Sequence, residues 1–506
     1  MKRSLWMACL LLLLQATTLM RTRWVEDESW LANGAWTLLK EGTLRMPIFP
    51  AAANVVVDVY PPLHRLAMVP IFAVFGLGEI QARSVSVLAS MATVIVIFVV
   101  ARRLAGTTAA SIAAWLLATD TFFVVSARTA RPEALATLLC WVAVWMALTA
   151  QRKGSSTWTL GSGVVGGLSI LTHPIGAAFV AALGWWQLLS HQNESEYNVT
   201  GRAVRPDAGS HGMAKVDKRR FSPSRTRSFA IFAVGVAVAL TPYLVWCFSD
   251  AAHIASFTTA WIQKAREPLL LRIVGERDRW ADFAGFGSQR VALPRHIPFR
   301  LHLVAAVVAA FVALVRLRPQ LGSALVALLL INAGWWLCLV GKGPRYMTVV
   351  SPIFAILFGA VVSASAGRAR LLWKAVVVGV LLTHIAGSTY WIYRYREADY
   401  PSVSRRLRAA IPPGSSVYGI TTFWLGLSDR TYYAYDRTPF EFARDRLKPE
   451  FVILNDRVMV QGSGHGADEF RDLRAQLAQL TRERGSRVAV VSNEFYGNLE
   501  VYRLSW

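Results

Sequence analysis

The chain has 506 residues, 54% of them hydrophobic and only 17% charged, where a soluble globular protein carries about 25% charged residues. With a mean hydropathy of +0.38, this argues against a soluble enzyme, and the wealth of apolar and aromatic residues excludes disorder for most of the chain. The net charge is +23, from 54 basic and 31 acidic residues, and beside a membrane it points to basic inner loops, anionic lipid or a phosphate-bearing substrate. No nucleic-acid motif accompanies the charge, so nucleic acid is not an expected partner. Cys9, Cys140, Cys247 and Cys338 lie in apolar runs and read as packing residues, not bridges or metal ligands.

A membrane span needs about 20 predominantly apolar residues. The first run, Leu5 to Met20, follows Lys2 and Arg3 and is followed by Arg21, Thr22, Arg23 and Trp24, not by a small-residue cleavage site, so it reads as a retained helix. Pro61 to Phe75 is apolar but short and reads as a helix at the membrane surface or partway into it. Further runs lie at 80–101, 107–123, 133–150, 158–172, 174–190, 229–248, 297–315, 320–340, 346–364 and 371–391. With the first run this makes about eleven transmembrane helices.

Orientation follows from Lys and Arg in short loops. With the N-terminus cytoplasmic, the inner loops carry Arg102, Arg103, Arg152, Lys153, Arg316, Arg318, Arg368, Arg370 and Lys374. The basic, Ser- and Gly-rich loop 191–228 also falls inside and reads as disordered. The outer loop 249–296 is basic as well and carries Trp261 and Trp280. It reads equally as a cover over the substrates or as an amphipathic interface helix. An odd number of spans places residues 394–506 outside. There Pro412-Pro413-Gly414 signals a turn. Segments 416–420, 451–454 and 487–491 read as short buried strands, and 470–480 as a helix. The expectation is a membrane domain over 1–393 and a small extracytoplasmic α/β domain over 394–506. Trp424, Tyr432, Tyr433 and Tyr435 read mainly as its core, with glycan stacking as the alternative.

Ionisable groups at membrane depth or at its edge are functional candidates. On this topology five clusters share the outer face. The first loop, 21–79, holds Glu26-Asp27-Glu28, a candidate general base with its partner. It also holds Asp58 and Arg65, flanking Pro61-Pro62-Leu63-His64. Arg128 and Arg131, three residues apart, would share a helical face. Pro132 suits a first helical turn and Glu133 its N-terminus, and an Arg–Glu structural pair is an equal alternative. His173, in Leu171-Thr172-His173-Pro174, reads first as a turn residue. Gly341-Lys342-Gly343-Pro344-Arg345-Tyr346 could cradle a phosphate or anchor the interface. Acids followed by several arginines and a lysine on one face suit a lipid-linked phosphate whose headgroup lies at the outer surface.

In order and spacing, residues 1–395 resemble the membrane-spanning, lipid-phosphate-dependent glycosyltransferases of C-type fold. The nearest group is the bacterial form of the protein mannosyltransferase and aminoarabinose transferase superfamily. The residues that carry the resemblance are Asp27-Glu28 with Ala32-Asn33-Gly34 and Leu39-Lys40-Glu41-Gly42, then Tyr60-Pro61-Pro62-Leu63, Phe75-Gly76, Glu79, Arg83 and Ala101-Arg102-Arg103-Leu104. Arg128 to Glu133, Leu171 to Pro174, and Arg345-Tyr346 with Pro352 follow. The resemblance implies Asp27 as catalytic base and Glu28 as its partner near donor or metal. Asp58, Arg65, Arg128, Arg131, Glu133, His173, Lys342, Arg345 and Tyr346 are then donor-binding or supporting residues. The chain departs from the pattern at Tyr60, where some relatives have Lys or His, so that Arg65 is the substitute phosphate ligand. Asp58 matches the metal-binding relatives' carboxylate one position off. The implied donor is a polyprenyl-phosphate sugar and the implied acceptor a hydroxyl on protein, glycan or lipid. The implied outcome is inversion at the anomeric carbon, in the plasma or inner membrane, with a divalent metal left open as cofactor. A transporter, flippase or ligase for a lipid-linked sugar is the rival. A transporter would need neither Asp27-Glu28 nor a soluble C-terminal domain, and it often carries internal symmetry, of which the sequence has none.

Overall fold

The computed structural model describes residues 2–18, 26–50, 61–189, 223–249, 348–435, 438–455 and 467–506. Asp58, Lys342, Arg345 and Tyr346, the runs 297–315 and 320–340, and nearly all of the two long loops lie outside these residues. The apolar runs within them are helical: α1 Lys2–Thr18, α4 Glu79–Thr119, α5 Thr121–Ala127, α6 Pro132–Lys153, α7 Ser156–Thr172, α8 Ile175–Leu189, α9 Pro223–Phe248, α10 Ser351–Ala364 and α11 Gly367–Arg394. The shorter α2 Glu26–Glu41 and α3 Leu63–Phe75 stand between α1 and α4.

Four of the described helices are long and apolar enough to cross a membrane: Glu79–Thr119, Pro132–Lys153, Thr226–Phe248 and Gly367–Tyr393. At 1.5 Å per residue, a 23-residue helix spans about 35 Å, enough for a hydrocarbon core of about 30 Å. On α9 and α11, Val234, Val238, Val245, Phe248, Leu371, Leu372 and Leu382 are all exposed. Water would penalise so large an apolar surface, whereas lipid does not. The protein is a membrane protein by these helices.

Two expected spans, 80–101 and 107–123, join end to end in α4 and α5. Gly106 breaks α4 with φ 87° and ψ −178°, a backbone that glycine alone adopts readily. The chain therefore doubles back there, and a second break at Asp120 is capped by the Asp120 side chain, which accepts the Phe123 N–H at 2.8 Å. The two ends of the bundle differ in chemistry. Arg102, Arg103, Arg152, Lys153, Arg368 and Arg370 cluster at helix ends on one side. Arg103 donates to Thr149 Oγ1 at 2.5 Å. The acids Asp27, Glu28, Glu79 and Glu133 lie at the other end.

Over the acidic end sits a five-stranded sheet of order β2-β1-β3-β5-β4. Its strands are β1 Ser416–Gly419, β2 Thr431–Ala434, β3 Phe451–Asn455, β4 Gly485–Asn493 and β5 Gly497–Leu504. β1 is parallel to β2 and β3, and β5 is antiparallel to β3 and β4. Helices α12 Tyr400–Ala410 and α13 Ala467–Arg484 complete this unit. Its core is continuous with that of α2 and α3, where Trp30, Leu31, Met68 and Phe72 pack in one cluster with Tyr400, Phe423, Trp424 and Tyr496. Trp424 and Tyr432 are buried core and Tyr433 and Tyr435 half-buried. Cys9, Cys140 and Cys247 are buried free thiols, as packing residues should be.

Candidate active site

The site grows from the first turn of α2. The Glu28 side chain is fully buried. Burying a carboxylate is costly unless it is paired and hydrogen-bonded, and Glu28 is both. Arg83, one turn into α4, donates Nε to its Oε1 at 2.8 Å and Nη2 to its Oε2 at 3.0 Å. The Ala130 N–H donates to Oε1 at 2.8 Å. Arg83 also lies 3.7 Å from Glu79, one turn earlier on the same helix. Glu28 therefore ties α2, α4 and the α5–α6 turn together.

Asp27 differs in exposure. Its side chain is 23% exposed against 0% for Glu28, so of the two only Asp27 can meet a substrate. Arg131 forms an ion pair with it, and the Trp30 indole donates to Oδ1 at 3.2 Å. Arg131 in turn grips Glu133 through Nε at 3.1 Å and Nη2 at 2.9 Å. A carboxylate held from two sides is oriented before any substrate arrives.

The α5–α6 turn corrects one expectation. Arg128 and Arg131 do not share a helical face: Arg128 caps the end of α5, and Arg131 precedes α6 with φ −130° and ψ 153°. The residue before a proline is pushed out of the helical region, and Pro132 does this to Arg131. The two arginines thus diverge. Arg131 turns to the carboxylates, while Arg128 is buried with its Nε and Nη1 hydrogen-bonded to no described residue. Burial and the neighbouring Arg83 cation push the Arg128 guanidinium well below its ordinary pKa. A buried cation with spare donors is unfavourable until an anion joins it.

The other candidates play supporting parts. Arg65 is buried against α2, where Gly34 makes room: a Cβ at that position would come within 2.8 Å of Arg65 Cδ. His173 Nδ1 accepts the Ile175 N–H at 3.0 Å, which caps the start of α8 and leaves Nε2 as the protonated nitrogen. His64 is fully buried on α3, with Glu133 as its main charged neighbour. Among the described residues no three His, Cys, Asp or Glu side chains converge to hold a metal. Asp27, Glu28 and Glu133 each face a guanidinium, so the described donor set suits arginine and not a divalent ion.

Sequence reasoning missed Arg83 as the partner of Glu28. Its signal was an arginine four residues after Glu79 in an otherwise apolar helix, where an unpaired charge is expensive.

A model of the dolichyl-phosphate-mannose-protein mannosyltransferase family matches residues 59–199. An uncharacterized protein of Aquifex aeolicus is 23% identical over 276 residues, 47% of this chain and 52% of that one. The chain thus spans about half the length of that curated relative. The crystal structure of ArnT from Cupriavidus metallidurans bound to undecaprenyl phosphate aligns over 98% of this chain and 97% of that one, with 16% identity and a TM-score of 0.61. The Archaeoglobus fulgidus oligosaccharyltransferase in its apo form aligns over 90% of this chain and 69% of that one, with 11% identity and a TM-score of 0.51. The fold is therefore that of the C-type membrane glycosyltransferases. The family match over residues 59–199 covers part of the membrane helices of that fold.

Proposed function

We propose that this protein is a membrane glycosyltransferase that moves a sugar from a polyprenyl-phosphate donor to a hydroxyl acceptor at the outer membrane face. The observation that carries the reading is the juxtaposition of two unlike groups on one small frame. Asp27 is partly exposed and held by Arg131 and Trp30, and Arg128, in the same turn as Arg131, is buried with donors to spare. A base, and in the turn that holds it a buried cation with donors hydrogen-bonded to no described residue, suit a reaction in which a proton leaves the nucleophile while negative charge builds on the leaving group. The related solved structures support the donor class: ArnT is bound to undecaprenyl phosphate, and the archaeal oligosaccharyltransferase AglB is in complex with a dolichol-phosphate and an inhibitory peptide.

In this reaction Asp27 takes the acceptor hydroxyl proton as that oxygen attacks the anomeric carbon. The bond from that carbon to the phosphate oxygen breaks in the same displacement, which inverts the anomeric centre. The departing lipid phosphate keeps the electron pair. Arg128 stabilises its growing charge with preformed N–H groups, a contribution whose loss typically costs about 100- to 1000-fold in rate. Glu28 and Arg83 are not at the reacting atoms. They hold the turn of α2 against that of α5–α6, so base and cation keep their spacing.

The segregation of the basic helix ends from the acidic site supports an outward-facing site, since basic loops favour the cytoplasm. The acceptor is a hydroxyl on protein, glycan or lipid. The test is to offer membranes containing the protein a panel of polyprenyl-phosphate sugars and to determine the product's anomeric configuration by NMR. Inverted product supports the reading, and retained configuration removes the single displacement. Saturable donor binding without transfer to any acceptor or to water favours a transporter or flippase.

A further inference from the structure

The C-terminal α/β unit is joined to the helix that bears Asp27 by more than apolar contact. Ser29 follows Asp27 and Glu28 in the same helical turn and is fully buried. Its hydroxyl donates to the Thr422 carbonyl at 3.1 Å, in the loop after β1. The Tyr400 hydroxyl, equally buried, donates to that same carbonyl at 2.8 Å and accepts the Gly426 N–H at 3.1 Å. The Tyr400 ring is stacked on Phe423, with centroids 6.2 Å apart and planes 3° from parallel, and Tyr496 meets both edge-on. Tyr496 lies close enough to Arg83 to bear on its charge, as Tyr400 does to Glu79. A second stitch joins the far end of the first loop to the sheet, where the Ala434 N–H donates to the Ile48 carbonyl at 2.8 Å.

The first turn of a helix is its weakest, because its N–H groups lack intrahelical partners. That turn is where Asp27 stands. We propose that Ser29 and Tyr400 are positioning residues: through the shared Thr422 carbonyl, the C-terminal unit fixes the first turn of α2 and so the direction of the Asp27 carboxylate. The unit is then part of the active-site frame and not an appended module. This rests on the transferase reading, in which Asp27 is the base. A displacement of about 1 Å at a reacting group costs on the order of 100-fold in rate.

The test compares Tyr400→Phe, which keeps the ring stack and removes the hydroxyl's bonds to Thr422 and Gly426, with Ser29→Ala and with Tyr502→Phe. Tyr502 bonds Glu500 in the same unit at 2.7 Å and serves as the control. Two readouts are taken on the full chain in detergent: steady-state transfer, and hydrogen exchange of the α2 amides. Tyr400→Phe and Ser29→Ala are expected to lower kcat about 10- to 100-fold, with the KM for donor within about twofold, because Arg128 is untouched. Exchange should rise in the α2 amides that follow its first turn, while Tyr502→Phe changes neither readout. Unchanged kcat in Tyr400→Phe and Ser29→Ala overturns the proposal. If the wild type transfers no sugar from any donor, the transferase reading fails. The tether is then judged by exchange alone: protection of α2 unaltered by Tyr400→Phe overturns it, and selective loss of that protection upholds it.

Discussion

Removing Arg83 should damage this protein more than removing the carboxylate it serves. Glu28 is fully buried, and the hydrogen bonds it receives include two from Arg83 at 2.8 and 3.0 Å and one from the Ala130 N–H at 2.8 Å. Two unit charges about 4 Å apart interact by about 4 kcal/mol at an effective dielectric of about 20. Arg83→Met leaves a buried carboxylate without its guanidinium, a loss of about 3–5 kcal/mol. Glu28→Gln leaves Arg83 with Glu79 at 3.7 Å and forfeits charge-assisted hydrogen bonds worth about 1.5–3 kcal/mol. The two changes share one interaction, so the double variant should cost less than the sum of the singles by about 2 kcal/mol or more. Unfolding in mixed micelles by titration with a denaturing detergent, followed by tryptophan fluorescence, measures all three. If the single effects add within about 0.5 kcal/mol, or if Arg83→Met costs under about 1 kcal/mol, the tie between α2 and α4 is not what holds the site.

Three further outcomes follow from the geometry. Arg128→Met should raise the donor KM at least about 10-fold while leaving the unliganded protein as stable or more so, because a buried cation with two donor nitrogens unpartnered among the described residues is removed. Donor-induced stabilisation by thermal shift reads this, and its survival in the variant would exclude Arg128 as a phosphate ligand. His173→Ala should cost about 1 kcal/mol of stability through loss of a helix cap and leave kcat unchanged, which unfolding and transfer assays on one preparation would check. Burial lowers the His64 pKa from 6.5 to about 4. The unfolded chain therefore binds more protons between these values, and stability falls as the pH drops through that window, by roughly 3 kcal/mol in all. His64→Gln should flatten the acid limb of the stability profile between about pH 6.5 and 4. An unchanged limb would show that another group sets it.

Much of the site was readable before folding because lipid makes charge expensive. Asp27-Glu28 and the 128–133 segment stood out as charges beside apolar runs, and the fold brings them together. The roles within the pairs were less legible. Which of two adjacent carboxylates is exposed depends on what packs over α2, and Arg83 lies 55 residues away on another helix. The spacing of Arg128 and Arg131 suggested one helical face, but Pro132 outweighs spacing and turns Arg131 out of the helix. The strands at 416–419 and 451–455 showed as apolar runs, whereas Thr431–Ala434 is short and polar at one end and is defined by its pairing with β1. The docking of the C-terminal unit on α2 runs through carbonyls, Thr422 and Ile48, which carry no side-chain signature in a sequence.

The most direct test of the account compares wild type with Asp27→Asn in transfer of radiolabelled sugar from polyprenyl phosphate, with donor binding measured in parallel. Label should reach an acceptor or water only with wild type, and donor binding should be retained in the variant because Arg128 is intact. Equal transfer by both proteins would contradict this and take Asp27 out of the chemistry.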